Sequence, residues 1–198
     1  MFIQANRSDE GDYHNDNELW TAFREGNRKA LSALFMRYYD TLLRYGLKLI
    51  SDEDMTRDGI QQMFLRLWEK KENIADADSV KFYLLLSLRR TLFRMQDRNA
   101  SRERRNAEFG NNQFDSYNNI ESKIIDQELE EERKALYRQA LNELTNRQKE
   151  ILFLRLHHGM KNKEIAEMTG LTHQRVRNYM SEAVSKLKEH IFDTRMSN

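Results

Sequence analysis

Apolar residues recur at helical spacing along most of this chain. In "DNELWTAFREGN", starting at Asp16, Leu19, Trp20 and Phe23 fall at i, i+1 and i+4. The next stretch, "RKALSALFMRYYDTLLRYGLKLI", carries a stripe through Leu31, Leu34, Phe35, Tyr38, Leu42, Tyr45 and Leu49. That i, i+3, i+4 recurrence marks one buried face of an α-helix. "SDED" at Ser51 supplies a cap and early acids for a helix over 52–71, with Ile60, Phe64, Leu67 and Trp68 inward. "NIADADS" is predicted to be a loop, and Ser79 a cap for a fourth helix through "VKFYLLLSLRRTLFRMQDR".

The pattern stops over 99–122. "RNAEFGNNQFDSYNN" is polar, asparagine-rich and without period, which predicts a linker. Helical spacing resumes near Ile124 and continues to about Ile191, through an acidic helix, a helix over "NRQKEILFLRLHH" and a final pair. The fold class is therefore all-α, with two small helical domains over 16–98 and 123–192 joined by a flexible linker. Residues 1–15 are expected to be disordered, and 193–198 to form a tail.

That final pair lies in "NKEIAEMTGLTHQRVRNYMSEAVSKL", which begins at Asn162. Ile165 and Ala166 line the inner face of a short helix ending at Gly170, a residue free to take positive φ. Thr172 is placed to cap the next helix, leaving backbone N–H groups that can meet a phosphate. On that helix Val176, Tyr179, Met180, Ala183, Val184 and Leu187 form the apolar stripe. The other side carries Gln174, Asn178, Ser181 and Ser185, flanked by Arg175 and Arg177, with no carboxylate before Glu182. This is a helix-turn-helix pattern, whose second helix enters a major groove. Glutamine and asparagine suit adenine, and arginine suits guanine or phosphate. The plain alternative is a helical hairpin with a solvated face.

Composition narrows the class. There is no proline, few glycines and no cysteine, with 39% hydrophobic and 33% charged residues. Disulfides and thiolate metal sites are excluded, which fits a reducing cytoplasm. The longest apolar run, "FYLLLSL", falls far short of the ~20 residues that span a bilayer. The polar start lacks the apolar stretch of a signal peptide. Net charge is only +1, yet over 81–105 eight basic residues face two acids, and over 121–134 six acids face three bases. In the fourth helix Arg89, Arg90, Arg94 and Arg98 share a broad side beside Phe82, Tyr83 and Phe93. Such a side suits a phosphate backbone and stacked bases, or else the aromatics are core and the arginines merely solvate a surface.

These motifs together resemble the sigma-70 family, and within it the short extracytoplasmic-function (ECF) sigma factors. "ELWTAFREGNRKALSALFMRYY" looks like the opening helices of the family's first conserved domain, and "RDGIQQMFLRLWEK" like the helix that docks on the polymerase clamp. "SVKFYLLLSLRRTLFRM" is similar to the promoter-melting helix. "LNELTNRQKEILFLRLHHGMKNKEIAEMTGLTHQRVRNYMSEAVSKLKE" resembles the domain that reads the −35 element. The resemblance implies that Asp58, Gln61, Gln62, Leu65 and Arg66 contact the β′ clamp of core RNA polymerase. It implies −10 recognition and strand separation around Lys71, Asn73, Arg89, Arg90, Arg94 and Arg98. It assigns the −35 duplex to Thr172, His173, Gln174, Arg175, Arg177, Asn178 and Ser181. Partners on this reading are the polymerase clamp and β flap, promoter DNA and an anti-sigma factor, with no cofactor, metal or small-molecule substrate, in the cytoplasm.

Six positions depart from the family pattern. Gly59 replaces a hydrophobic or β-branched residue, Gln62 an acid, Arg90 an asparagine, Thr145 a proline and Thr169 a leucine. Glu182 stands where an arginine is typical, and its carboxylate would weaken −35 binding unless turned away or paired, as with Lys186 at i+4. Two other classes compete. The C-terminal stretch also resembles the DNA-binding module of LuxR-type activators, which would place an α/β domain in the N-terminal half. An enzyme would have to draw on His157 and His158 or on Asp52 and Glu53. Adjacent histidines face different sides of a helix, however, and no nucleophile–base set is present.

Overall fold

A computed structural model describes residues 15–103 and 139–196 of the chain. The described residues hold no strand and, besides a helical stretch over 139–142, seven α-helices: α1 (Asp16–Arg24), α2 (Arg28–Ile50), α3 (Glu53–Lys70), α4 (Val80–Glu103), α5 (Asn146–Leu156), α6 (Asn162–Thr169) and α7 (His173–Met196). A 3₁₀ turn, Lys71–Asn73, follows α3. The helices fall into two compact units, α5–α7 making the second. The expected disordered start, most of the linker and the acidic helix lie outside the described residues.

Side-chain caps set the helix starts of the first unit. Asn15 accepts from the backbone N–H of Glu18 at 2.9 Å and donates back to its carboxylate at 2.8 Å. Asp52, rather than Ser51, caps α3 by accepting from Met55 N at 2.8 Å. Ser79 Oγ accepts from Phe82 N at 3.2 Å, as the sequence predicts for α4. Inward faces follow the apolar stripes: Leu19, Trp20 and Phe23 from α1, then Leu34, Leu42 and Tyr45 from α2, are all sealed from solvent. Asp16 ties α1 to α2, bonding Arg37 at 2.9 Å and the Tyr38 hydroxyl. Burial pushes the Tyr38 phenol pKa well above its ordinary range, and the bond to Asp16 adds to that.

Helix α3 packs chiefly against α4, and Gly59 lets the pair close. A Cβ there would lie 2.4 Å from Leu92 Cδ2, far inside van der Waals contact. The family's branched residue has no room at this position. Helix α4 continues to Glu103, past the predicted limit at 98. No glycine or proline stands in "RNASRE", so its hydrogen-bond ladder has no local reason to stop.

In the second unit Leu144, Leu152 and Ala183 form a buried cluster, with Leu141, Met180 and Leu187 against it. Ile151, Leu154, Ile165 and Val176 are also fully buried. Val184, assigned to the apolar stripe, is 37% exposed instead, because the stripe is narrower than its full set of apolar residues. Helix α7 runs to Met196, so 193–196 extend the helix rather than forming a tail.

Candidate nucleic-acid interface

The turn between α6 and α7 is built by its backbone. Gly170 closes α6 in the left-handed region, φ 69°, where a side chain would be strained. Thr172 then caps α7, its Oγ1 accepting from Arg175 N at 3.3 Å. Val176 locks the front of α7 into the core. His173, Gln174, Arg175, Arg177, Asn178 and Ser181 are consequently exposed together, with Thr172 at their head. Gln174 donates to Asn178 Oδ1 at 3.0 Å and accepts from Arg177. The amides and guanidinium thus form one exposed network on the front of α7.

Helix α5 contributes a residue that the motif reading passed over. Thr145 and Gln148 make a reciprocal capping box, with Gln148 N donating to Thr145 Oγ1 at 3.3 Å and Thr145 N to Gln148 Oε1 at 2.9 Å. The T-x-x-Q signature was visible in the sequence. Thr145, standing for the family's proline, is thereby explained as a cap. The remaining end of Gln148, its Nε2, donates to Glu182 Oε2 of α7 at 3.1 Å. The partner of Glu182 is this neutral amide and not Lys186. Thr169 turns its hydroxyl to Ile165 O at 2.7 Å, satisfying itself within α6. His157 and His158 do not diverge as expected. Since α5 ends at Leu156, both rings sit about the Phe153 ring, at 4.8 and 5.0 Å.

The first unit presents two further surfaces. On α3, Asp58, Gln61 and Leu65 are exposed along one face, with Gln62 and Arg66 half-buried at its margin. Leu65 is 63% exposed, a large apolar side chain set among polar neighbours. On α4, Arg90, Arg94 and Arg98 lie four residues apart and are all exposed.

Arg89 does not join them. It is buried, donates to the Tyr45 hydroxyl at 3.0 Å and lies 4.7 Å from the Phe93 ring centroid. Its place one residue before the exposed ladder turns it about 100° inward. The sequence-predicted set of four arginines is thus corrected to three. Lys71 is half-buried with its ammonium 4.8 Å above Trp68, while Asn73 is exposed. The loop after Asn73 is held from α1: Trp20 Nε1 donates to Ala75 O at 3.4 Å, and Arg24 pairs with Asp76. Neither contact has a local sequence signal, because more than fifty residues separate the partners.

Among the described residues the chain is all-α, with a helix-turn-helix whose second helix has an exposed polar and basic front, and with a separate arginine ladder. Residues 134–187, which include α5, α6 and most of α7, match the family model for Sigma-70, region 4. In fold the chain is similar to the sigma factor RpoE of Bartonella quintana, solved in complex with the anti-sigma factor NepR. The match covers 82% of this chain and 97% of that one at 20% identity, with a TM-score of 0.54. It is likewise similar to CnrH, solved with the cytosolic domain of CnrY, over 90% and 97% of the two chains at 18% identity and a TM-score of 0.55. No curated protein matches the chain in sequence. Part of the C-terminal unit is thus similar to a sigma-70 region 4, and the chain shares the all-α fold of these solved sigma factors. The resemblance drawn from the motifs is borne out, and the LuxR-type alternative, which needs an α/β domain where the described residues show only helices, is not favoured.

Proposed function

We propose that the chain acts as an ECF-type sigma factor, binding core RNA polymerase and directing promoter recognition and transcription initiation. The observation that carries this is the exposed front of α7 inside the Sigma-70 region 4 match. The α3 face centred on Leu65, with Asp58, Gln61, Gln62 and Arg66, docks on the β′ clamp. The family resemblance supports this assignment, and Leu65 at the centre of the face is 63% exposed. Arg90, Arg94 and Arg98 follow the backbone of the −10 strand while Lys71, Asn73 and the adjoining loop meet its unstacked bases. Helix α7 enters the −35 duplex, with Arg177 on phosphate or guanine and Gln174 and Asn178 on adenine.

On this reading the linker runs toward the RNA exit path and region 4 meets the β flap. RNA synthesis belongs to the polymerase, and the chain supplies no catalytic group, metal or cofactor. No described helix is long and apolar enough to cross a membrane, consistent with action in the cytoplasm. RpoE was solved with an anti-sigma factor, and a partner of that class would silence this chain by covering the same surfaces.

Size-exclusion chromatography with purified core polymerase tests the proposal. Co-elution as a stoichiometric complex is expected. A chain that stays apart from core enzyme and binds palindromic DNA as a dimer would return the LuxR-type reading.

A further inference from the structure

Glu182 is the first carboxylate of α7. Eight residues beyond Gln174 and four beyond Asn178, it lies about 80° round from the former and about 40° from the latter. It is exposed at the border of the face that carries the recognition residues.

Its tether decides what it can do. Gln148 is 3% exposed and has committed its carbonyl and backbone to the cap of α5. The buried amide donor then needs an acceptor, and Glu182 supplies it. A cationic partner would have cancelled the charge. A neutral amide holds the carboxylate in place and leaves its charge standing. Turning away would strand the Gln148 donor.

We propose that Glu182 is an affinity-limiting residue, a fixed negative charge that opposes the phosphate backbone when α7 docks on duplex DNA. This rests on the reading of α7 as the duplex-binding helix. Sequence-independent binding is largely phosphate electrostatics, so the unit grips DNA weakly by itself. Stable engagement then requires the further contacts of an assembled initiation complex.

Fluorescence anisotropy of the full chain on a short duplex of random sequence, across a salt series, tests this. Glu182→Gln retains an acceptor for Gln148 while removing the charge, so the melting temperature stays put. Binding at low salt tightens about threefold, and the gain fades as salt rises. Glu182→Arg adds a phosphate contact and steepens the log–log salt slope by about one. A residue that served only to anchor Gln148 would leave Glu182→Gln at wild-type affinity, and that result overturns the inference. Arg177→Ala separates this failure from a deeper one. If Arg177→Ala weakens binding while Glu182→Gln does nothing, only the inference falls. If Arg177→Ala binds like wild type, α7 does not hold the duplex, and both the inference and its premise are lost.

Discussion

Tyr38 and Arg89 show how one residue's surroundings outweigh its type. With its folded-state pKa raised, Tyr38 contributes stability that is fully present below the ordinary phenol value, about 10. That contribution is lost as the pH climbs from there through the folded value. Alkaline unfolding followed by circular dichroism should therefore show a falling limb above that pH, and Tyr38→Phe should make it shallower. Arg89→Met should lower unfolding stability by about 1–3 kcal/mol, because the Tyr45 hydroxyl loses a buried partner. Arg94→Ala, on the exposed ladder, should leave stability unchanged while reducing strand opening, read by fluorescence of a base analogue in the −10 strand. The sequence pattern grouped these arginines because spacing reports a helix side only broadly. A rotation of about 100° per residue suffices to move one member into the core.

Among the elements, the α3–α4 contact is the most demanding. Gly59→Val should destabilise the N-terminal unit by at least about 1–3 kcal/mol in chemical denaturation, since Leu92 occupies the space a side chain needs. By contrast, Leu65→Asp on the outer face of α3 should keep the melting temperature and lower affinity for core polymerase. The helices themselves were legible from the sequence, because long amphipathic stripes and local caps at Ser79 and Thr172 act within a few residues. Helix ends were less so: α4 and α7 outrun their predicted limits, as apolar periodicity ceases before helix propensity does. The recognition front on α7 was likewise readable, its exposure following from Gly170 and Val176. Tertiary pairs such as Gln148–Glu182 and Trp20–Ala75 were not, since nothing local in a chain records which distant residue will face it.

For the whole molecule, the near-neutral net charge conceals a division of labour. On the proposed function, one unit offers a docking face around Leu65 and an arginine ladder, and the other a helix for intact duplex. Joining both on one chain lets modest individual contacts act in concert, since binding at one surface raises the effective concentration of the other. On the proposed function, this chain gives core polymerase its promoter selectivity. Run-off transcription on a promoter library, with core enzyme alone and with the chain added, tests it most directly. New, discrete start sites sharing an upstream duplex motif and a separate −10 motif are expected, with Arg177→Ala impairing them through the former. Start sites unchanged by the chain's presence would contradict it.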